Sequence, residues 1–203
     1  MGRKNTRETI VETADRLFYE HGYEHTSFAD IGEAVQISRG NFYYHFRTKD
    51  EILEAVIERR LERTEAMLAQ WDEEAETPRE RIVRFVEILI VNQSKIMQHG
   101  CPVGTLCGEL AKLDHPSLPM ANRLFTLFRS WLSRQFVALG RVADADDLAM
   151  HLLVRSQGVA VLANTFRDGV FVRREVRMAC DWLDHELSSG QGQAGTAIVT
   201  SAV

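Results

Sequence analysis

The sequence predicts an all-α protein with a three-helix N-terminal domain and a larger C-terminal helical bundle. Apolar residues recur every three or four positions along most of the chain, which is the pattern of amphipathic helices, and no long stretch alternates Val, Ile or Thr as a β-strand would. Only 4 of the 203 residues are proline. Capping residues and glycines stand where the periodic segments begin and end.

Three helices are predicted near the N-terminus. The first covers about residues 6–21 and stops at Gly22. The second follows a cap at Thr26 or Ser27, and after a tight turn the third covers about residues 38–46, with Ser38 as its cap. Two short helices joined by such a turn, after a longer helix, form a helix-turn-helix.

Longer helices are predicted for the rest of the chain. Thr48 and Glu51 form a capping box that opens a fourth helix over about residues 48–71. Thr77 and Pro78 open a fifth in the same way. The fifth and later helices are expected at about 78–98, 103–113, 117–139, 144–167 and 173–187.

The charge distribution agrees with a DNA-binding N-terminus. The net charge is −5. Residues 1–49 hold seven Lys or Arg and seven Asp or Glu, so the acidic excess lies in the remainder of the chain. The basic arm Arg3, Lys4 and Arg7 can approach phosphates while an acidic body stays away from them.

The third helix has one apolar and one polar face. Phe42 and Phe46 are four residues apart, so we expect both to pack inward. The opposite face, which we expect to enter the major groove, carries Arg39, Gly40 and Tyr44, flanked by Asn41 and Tyr43.

Each of these residue types suits DNA recognition. Arg39 can read a guanine edge or clamp a phosphate with its planar fork. Gly40 lets the backbone approach the groove, and Tyr44 offers a ring and a hydroxyl. Lys49, beside the free N–H groups after Thr48, forms a second anion site.

The stretch from Thr26 to Leu53 resembles the signature of the TetR family of transcription regulators. The run Phe42-Tyr43-Tyr44-His45-Phe46, with Lys49 and Glu51, carries the resemblance, which is strong over about residues 6–60. It implies an all-helical homodimer on a palindromic DNA operator, and DNA contacts by Ser27, Arg39, Gly40, Asn41, Tyr43, Tyr44, His45 and Lys49. Ser38 joins this set as the helix cap. Packing is the alternative role for Tyr43 and His45, and Gly32 departs from the alanine of many relatives.

The body is expected to hold a small-molecule effector. Large apolar side chains and a few polar ones supply a candidate pocket, although at least half must be core because every bundle helix needs an apolar stripe. The candidate ligand-binding residues are Trp71, Phe85, Leu89, Asn92, Cys101, Phe125, Phe128, Trp131, Arg155 and Phe166. Arg155 within an apolar stretch favours an anionic or carbonyl-bearing ligand.

Cys101 has two possible roles. The segment around Gly100-Cys101 resembles a Gly-Cys motif of a TetR subset in which some members sense electrophiles or oxidants with this cysteine. A small buried hydrophobe is the alternative. Three cysteines without an export signal argue against a disulfide framework, and the Cys101 to Cys107 spacing fits no common zinc pattern.

Wide apolar faces on the last two long helices predict the dimer interface. The residues expected there are Leu148, Leu152, Val159, Val161 and Leu162 on one helix and Val176, Ala179, Cys180, Leu183 and Leu187 on the other.

These observations predict a ligand-responsive regulator of transcription that is not an enzyme and needs no cofactor. Residues 1–49 are assigned to DNA binding, 50–188 to ligand binding and dimerisation, with the helix at 48–71 as the link, and 189–203 to a disordered tail. Repression is the expected action, with activation or non-specific architectural DNA binding as alternatives. A helical enzyme is disfavoured because no catalytic motif is present, while His151 and Glu109 are lone polar residues on apolar helices. No apolar stretch suits a membrane span or signal peptide, so a cytoplasmic location is expected.

Overall fold

The computed structural model describes residues 5–194, with side chains described up to Ser188, and every regular element in that range is a helix. The helices are α1 (Thr6–His21), α2 (Phe28–Val35), α3 (Arg39–His45), α4 (Lys49–Glu74), α5 (Pro78–Val91), α6 (Gln93–His99), α7 (Pro102–Lys112), α8 (Leu118–Ala138), α9 (Ala145–Phe166) and α10 (Gly169–Ala194). The all-α fold class is confirmed.

Local capping chemistry explains where α2, α4 and α5 begin. Ser27 and Asp30 form a capping box at α2, and Thr77 and Glu80 form one at α5. At α4 only half of the predicted box is present: the Thr48 hydroxyl accepts the Glu51 N–H at 3.1 Å. The Glu51 carboxylate instead accepts the N–H of Arg47, one residue earlier, at 2.7 Å.

One predicted helix is divided. Residues 78–98 were expected to be continuous, but α5 ends at Val91 and α6 begins at Gln93. Asn92, at the junction, has φ −100° and ψ 12°. Its side-chain amide donates to the carbonyl of Ile88 at 3.1 Å. Such local side-chain bonds compete with the helical ladder, which accounts for the break.

The last helix is longer than predicted at both ends. The carboxylate of Asp168 accepts the N–H groups of Val170 at 2.8 Å and Phe171 at 3.2 Å, so the helix begins at Gly169 rather than near Arg173. It continues to Ala194, past the predicted end near residue 187. Residues 195–203 of the predicted tail lie outside the described residues.

The chain divides into two compact units. The first contains the chain up to Leu68 together with Cys101–Leu127. Its core gathers side chains from α1, α2, α3, α4, α7 and α8, among them Ile10, Phe18, Ile31, Phe42, Phe46, Ile52, Leu110 and Leu124. Phe42 and Phe46 are each 3% exposed, as predicted. Burying a phenylalanine side chain contributes about 1.5–3 kcal/mol, so these two rings fix which face of α3 remains in solvent.

The second unit contains Ala69–Gly100 together with the chain from Phe128 onward. Within it, α9 packs against α5, α6 and α10. Trp131, Phe136, Ile82 and Leu152 are among its most deeply buried side chains. The assignment of DNA binding to residues 1–49, and of ligand binding and dimerisation to 50–188, stays a prediction because compactness does not reveal a unit's ligand.

Candidate nucleic-acid interface

The turn between α2 and α3 sets the direction of the candidate recognition helix. Gln36 ends α2 in the left-handed conformation, with φ 57°. The hydroxyl of Ser38 then accepts the N–H of Asn41 at 3.3 Å and caps α3. With Phe42 held in the core, the polar face of α3 is directed to solvent.

Most of the predicted DNA-binding residues lie on the exposed surface of the first unit. Those exposed are Ser27, Ser38, Arg39, Gly40, Asn41, Tyr43 and Tyr44, whereas His45 and Lys49 are half-buried. Tyr44 is 84% exposed, and a Cβ built on Gly40 would meet no atom within 4 Å. An exposed aromatic ring and an unobstructed glycine on one short helix form a surface that can enter a DNA groove.

Ser27, Arg39 and Tyr43 come together along one groove. They line a groove of ≈ 600 Å³ that Phe28 and Phe42 also border. The Arg39 guanidinium lies 5.6 Å from the centroid of the Tyr43 ring, and that ring packs against Phe28 at 5.3 Å. Tyr43 therefore has a packing role in addition to any DNA contact, and it supports the guanidinium by a cation–π interaction.

His45 and Lys49 are each held by a neighbouring ring. His45 meets Tyr44 edge to face at 5.1 Å. The Lys49 ammonium donates to the carbonyl of Tyr23 at 3.0 Å and lies 4.0 Å from the centroid of the Tyr23 ring. In the basic arm, the guanidinium of Arg7 lies 5.0 Å from the Phe46 ring, whereas Arg3 and Lys4 lie outside the described residues.

The candidate ligand-binding residues are divided between the units. Cys101 and Phe125 belong to the first unit and the other eight to the second. In the second unit Phe85, Leu89 and Arg155 line one cavity of ≈ 10 Å³. That space admits about one water molecule, far less than the roughly 300–1,000 Å³ of a drug-sized site.

Four candidate ligand-binding residues form two aromatic pairs. Trp71 packs on Trp131 with ring centroids 5.8 Å apart, and Phe85 packs on Phe128 at 5.6 Å. Phe166, in contrast, is 66% exposed. Phe85 and Trp131 are buried in the core of this unit, and Trp71 and Phe128 are partly buried.

Two of the candidate ligand-binding side chains already have polar partners within the chain. The sequence did not reveal these partners. Arg155 pairs with Glu175 of α10 at 3.5 Å, and both side chains are about one-fifth exposed. The amide of Asn92 bonds to the Ile88 carbonyl. An anionic effector at Arg155 would have to compete with the Glu175 carboxylate.

Cys101, Cys107 and Cys180 form no disulfide bond within the described part of the chain. Cys101 caps α7, and its Sγ accepts the N–H of Gly104 at 3.4 Å. Cys107 is buried on the same helix, and burial raises the pKa of its thiol to about 11. Burial also raises the pKa of the Cys180 thiol. Within residues 5–194 no group of three or more His, Cys, Asp or Glu side chains is placed to hold a metal ion.

Comparison with known proteins agrees with this geometry. Residues 10–56 match the family model of the bacterial regulatory proteins of the tetR family. An HTH-type transcriptional regulator in the lacX 3′ region of Lactococcus lactis subsp. lactis is 28% identical over 169 residues, covering 81% of this chain and 86% of that protein. The HTH-type transcriptional repressor DhaR of Mycobacterium sp. strain GP1 is 26% identical over 132 residues, covering 65% of this chain and 64% of that protein.

A solved structure shows the same fold. The TetR transcriptional regulator from Legionella pneumophila superposes with a TM-score of 0.77 at 24% identity, covering 90% of this chain and 99% of that one. The helix-turn-helix and these matches define a DNA-binding transcriptional regulator rather than an enzyme. The chain resembles TetR-family regulators in sequence over residues 10–56 and in its fold. None of its described helices is long and apolar enough to cross a membrane.

Proposed function

We propose that this regulator binds a palindromic operator as a homodimer and represses transcription until an effector releases it. The observation that carries the proposal is the face of α3, where Tyr44 is 84% exposed beside an unobstructed Gly40 while Phe42 is 3% exposed. Two such helices entering successive major grooves would lie about 34–36 Å apart. A relative over about two-thirds of the chain, DhaR, is a repressor.

The proposed dimer keeps only part of the α9 and α10 faces that the sequence suggested. Leu148, Leu152 and Val159 are buried in their own subunit. The exposed apolar residues on α9 are Met150, Val154, Val161, Leu162 and Phe166, and those on α10 are Val170 and Met178. Of the expected interface residues, Val161 and Leu162 remain on the exposed face. Exposed apolar residues on two neighbouring helices favour a second copy as partner, because burying that face removes it from water.

Release requires an effector with different affinities for the bound and free states. An effector that favours the released dimer by about 100-fold contributes roughly 2.7 kcal/mol to release. In the second unit a small molecule would contact the aromatic pairs and the Arg155–Glu175 pair. Some of these side chains must rearrange before such a molecule can enter. Modification of Cys101, at the start of α7, is the alternative trigger.

Binding to the DNA that flanks its own coding sequence tests the proposal. The protein is titrated onto that DNA in the presence of excess random competitor, and the mass of the complex is measured. A competitor-resistant complex of two subunits per site is expected. Equal affinity for random DNA would overturn the proposal in favour of non-specific binding. As a regulator of chromosomal DNA, the protein would act in the cytoplasm.

A further inference from the structure

Glu109 of α7 connects that helix to the loop between α1 and α2. One carboxylate oxygen accepts the N–H of Tyr23 at 2.9 Å, and the other accepts the N–H of Glu24 at 2.8 Å. Both oxygens of one ionised group are therefore engaged by consecutive backbone donors. Charge-assisted hydrogen bonds of this kind are roughly twice as strong as neutral ones, so the pair fixes the loop against α7.

Gly22 allows this close approach. Its φ of +91° lies in the region that favours glycine, and a Cβ there would lie 3.0 Å from Glu109 Oε1. The backbone therefore passes the carboxylate at a distance that a side chain would obstruct. The glycine that stops α1 also makes room for the Glu109 contact.

Tyr23 carries the connection from this loop to the start of α4. Its side chain is 4% exposed, and its hydroxyl bonds to Asp50 and lies 3.1 Å from Nε2 of His115, just beyond α7. Its carbonyl and ring hold the ammonium of Lys49 at 3.0 Å and 4.0 Å. Thus Glu109 and His115 contact this loop from α7 and the turn that follows it, while Lys49 and Asp50 contact it from the start of α4.

The opposite end of α7 is also fastened to α4. The carbonyl of Pro102, the first residue of α7, accepts a hydrogen bond from Arg60 at 2.6 Å. Arg60 is 9% exposed and pairs with Asp15 of α1 at 2.7 Å. A displacement of α7 would disturb bonds at both of its ends. Pro102 bonds to Arg60 of α4, and Glu109 bonds to the α1–α2 loop, where Tyr23 contacts Lys49.

We propose that Glu109 is a positioning residue for DNA binding: through Tyr23 it sets where the Lys49 ammonium meets a DNA phosphate. The proposal rests on the proposed operator binding. One N–H of the ammonium is used by the Tyr23 carbonyl, and an ammonium has further donors for a phosphate oxygen. Loss of the Glu109 bonds removes the backbone contacts that fix this loop to α7, and so loosens the carbonyl and the ring that orient Lys49.

A double-mutant cycle tests this role. The probe is a duplex that the wild-type protein selects in vitro from a random-sequence library, and its dissociation constant is measured over a range of salt concentrations for wild type, Glu109→Ala, Lys49→Ala and the double variant. Glu65→Ala, at an exposed position of α4, is the matched control. Thermal unfolding of each variant is recorded in parallel.

Glu109→Ala is expected to weaken binding about tenfold, comparable to the loss of a hydrogen bond to a charged group. It should also lower the slope of log K against log salt as Lys49→Ala does, by about 0.9 for each phosphate that the protein no longer neutralises. The double variant should bind no more weakly than Lys49→Ala, and Glu65→Ala should bind like wild type. If Glu109→Ala does not fold, Glu109→Gln, which keeps the size and loses one acceptor oxygen, is compared in the same way.

Two results would overturn the proposal. Losses that multiply in the double variant, or an unchanged salt slope in Glu109→Ala, would show that Glu109 acts independently of Lys49. A merely structural role would reduce the active fraction and the unfolding temperature and leave that slope unchanged. A wild-type protein that selects no duplex would overturn the operator-binding function as well, so the two failures are distinguishable.

Discussion

The Lys49 ammonium lies 4.0 Å from the centroid of the Tyr23 ring and donates to the Tyr23 carbonyl at 3.0 Å. The two residues are 26 positions apart, and Tyr23 itself is fixed from α7 by Glu109. The candidate phosphate clamp of the first unit is therefore built from a loop and a helix start that α7 holds in place. Contacts of this kind make α7 a candidate element for regulation of DNA binding.

Gly40→Ala should separate helix stability from DNA recognition. Alanine in place of a helical glycine stabilises by about 0.5–1 kcal/mol, and no neighbour obstructs the new methyl group. Gly108→Ala in α7 is the matched control, because its surroundings are equally open. Denaturant unfolding should show a higher free energy of unfolding for both variants, and operator affinity should fall only for Gly40→Ala. Unchanged affinity in Gly40→Ala would mean that this face of α3 does not approach DNA closely.

Gly22→Ala should destabilise the protein by about 1–3 kcal/mol, because φ of +91° strains an alanine and its Cβ would lie 3.0 Å from Glu109 Oε1. Chemical denaturation against wild type measures the change. In a Glu109→Ala background the collision is absent and only the backbone strain remains, so the cost should be smaller there. An equal cost in both backgrounds would contradict the close approach of Gly22 and Glu109.

Cys107 should resist alkylation in the folded protein. Burial raises the pKa of its thiol from 9.0 to about 11, and only the thiolate reacts. At pH 8 roughly 0.1% is thiolate, and the rate should rise about tenfold per pH unit until the pH approaches 11. Iodoacetamide labelling followed by peptide mass mapping measures this rate, with the denatured protein as reference. Equal rates in the folded and denatured protein would show that Cys107 is accessible.

Charge introduced on α9 should distinguish the dimer face from the core. Val161 is 63% exposed and Val159 is 5% exposed, two positions along the same helix. Val161→Glu should fold and sediment as a monomer, because a buried unpaired carboxylate opposes association. Val159→Glu should lose the folded state altogether. A dimer that persists in Val161→Glu would place the interface elsewhere.

Local signals in the sequence were sufficient for much of the fold. Helix periodicity and the caps at Ser27, Ser38 and Thr77 depend on residues within one helical turn, so α1 to α3 and the start of α5 could be predicted. The division at Asn92 was missed because its side-chain bond to Ile88 is one of several that an asparagine can make.

Contacts between distant segments could not be predicted in the same way. Glu109 looked like a lone polar residue because its partners lie 86 and 85 positions away. Periodicity identified apolar faces on α9 and α10 but did not separate residues such as Val159, which faces its own core, from Val161. The partners of Arg155 and Lys49 could likewise be identified only from the three-dimensional structure.

The most direct test of operator recognition is an electrophoretic shift with the DNA flanking the protein's own coding sequence, in excess random competitor, for wild type and Tyr44→Ala. Tyr44 is 84% exposed, so its truncation should leave the unfolding temperature unchanged. Loss of a base contact costs about 1–3 kcal/mol, so the specific complex should weaken by roughly 5- to 150-fold. Equal and competitor-sensitive binding by both proteins would contradict the assignment of α3 as the recognition helix.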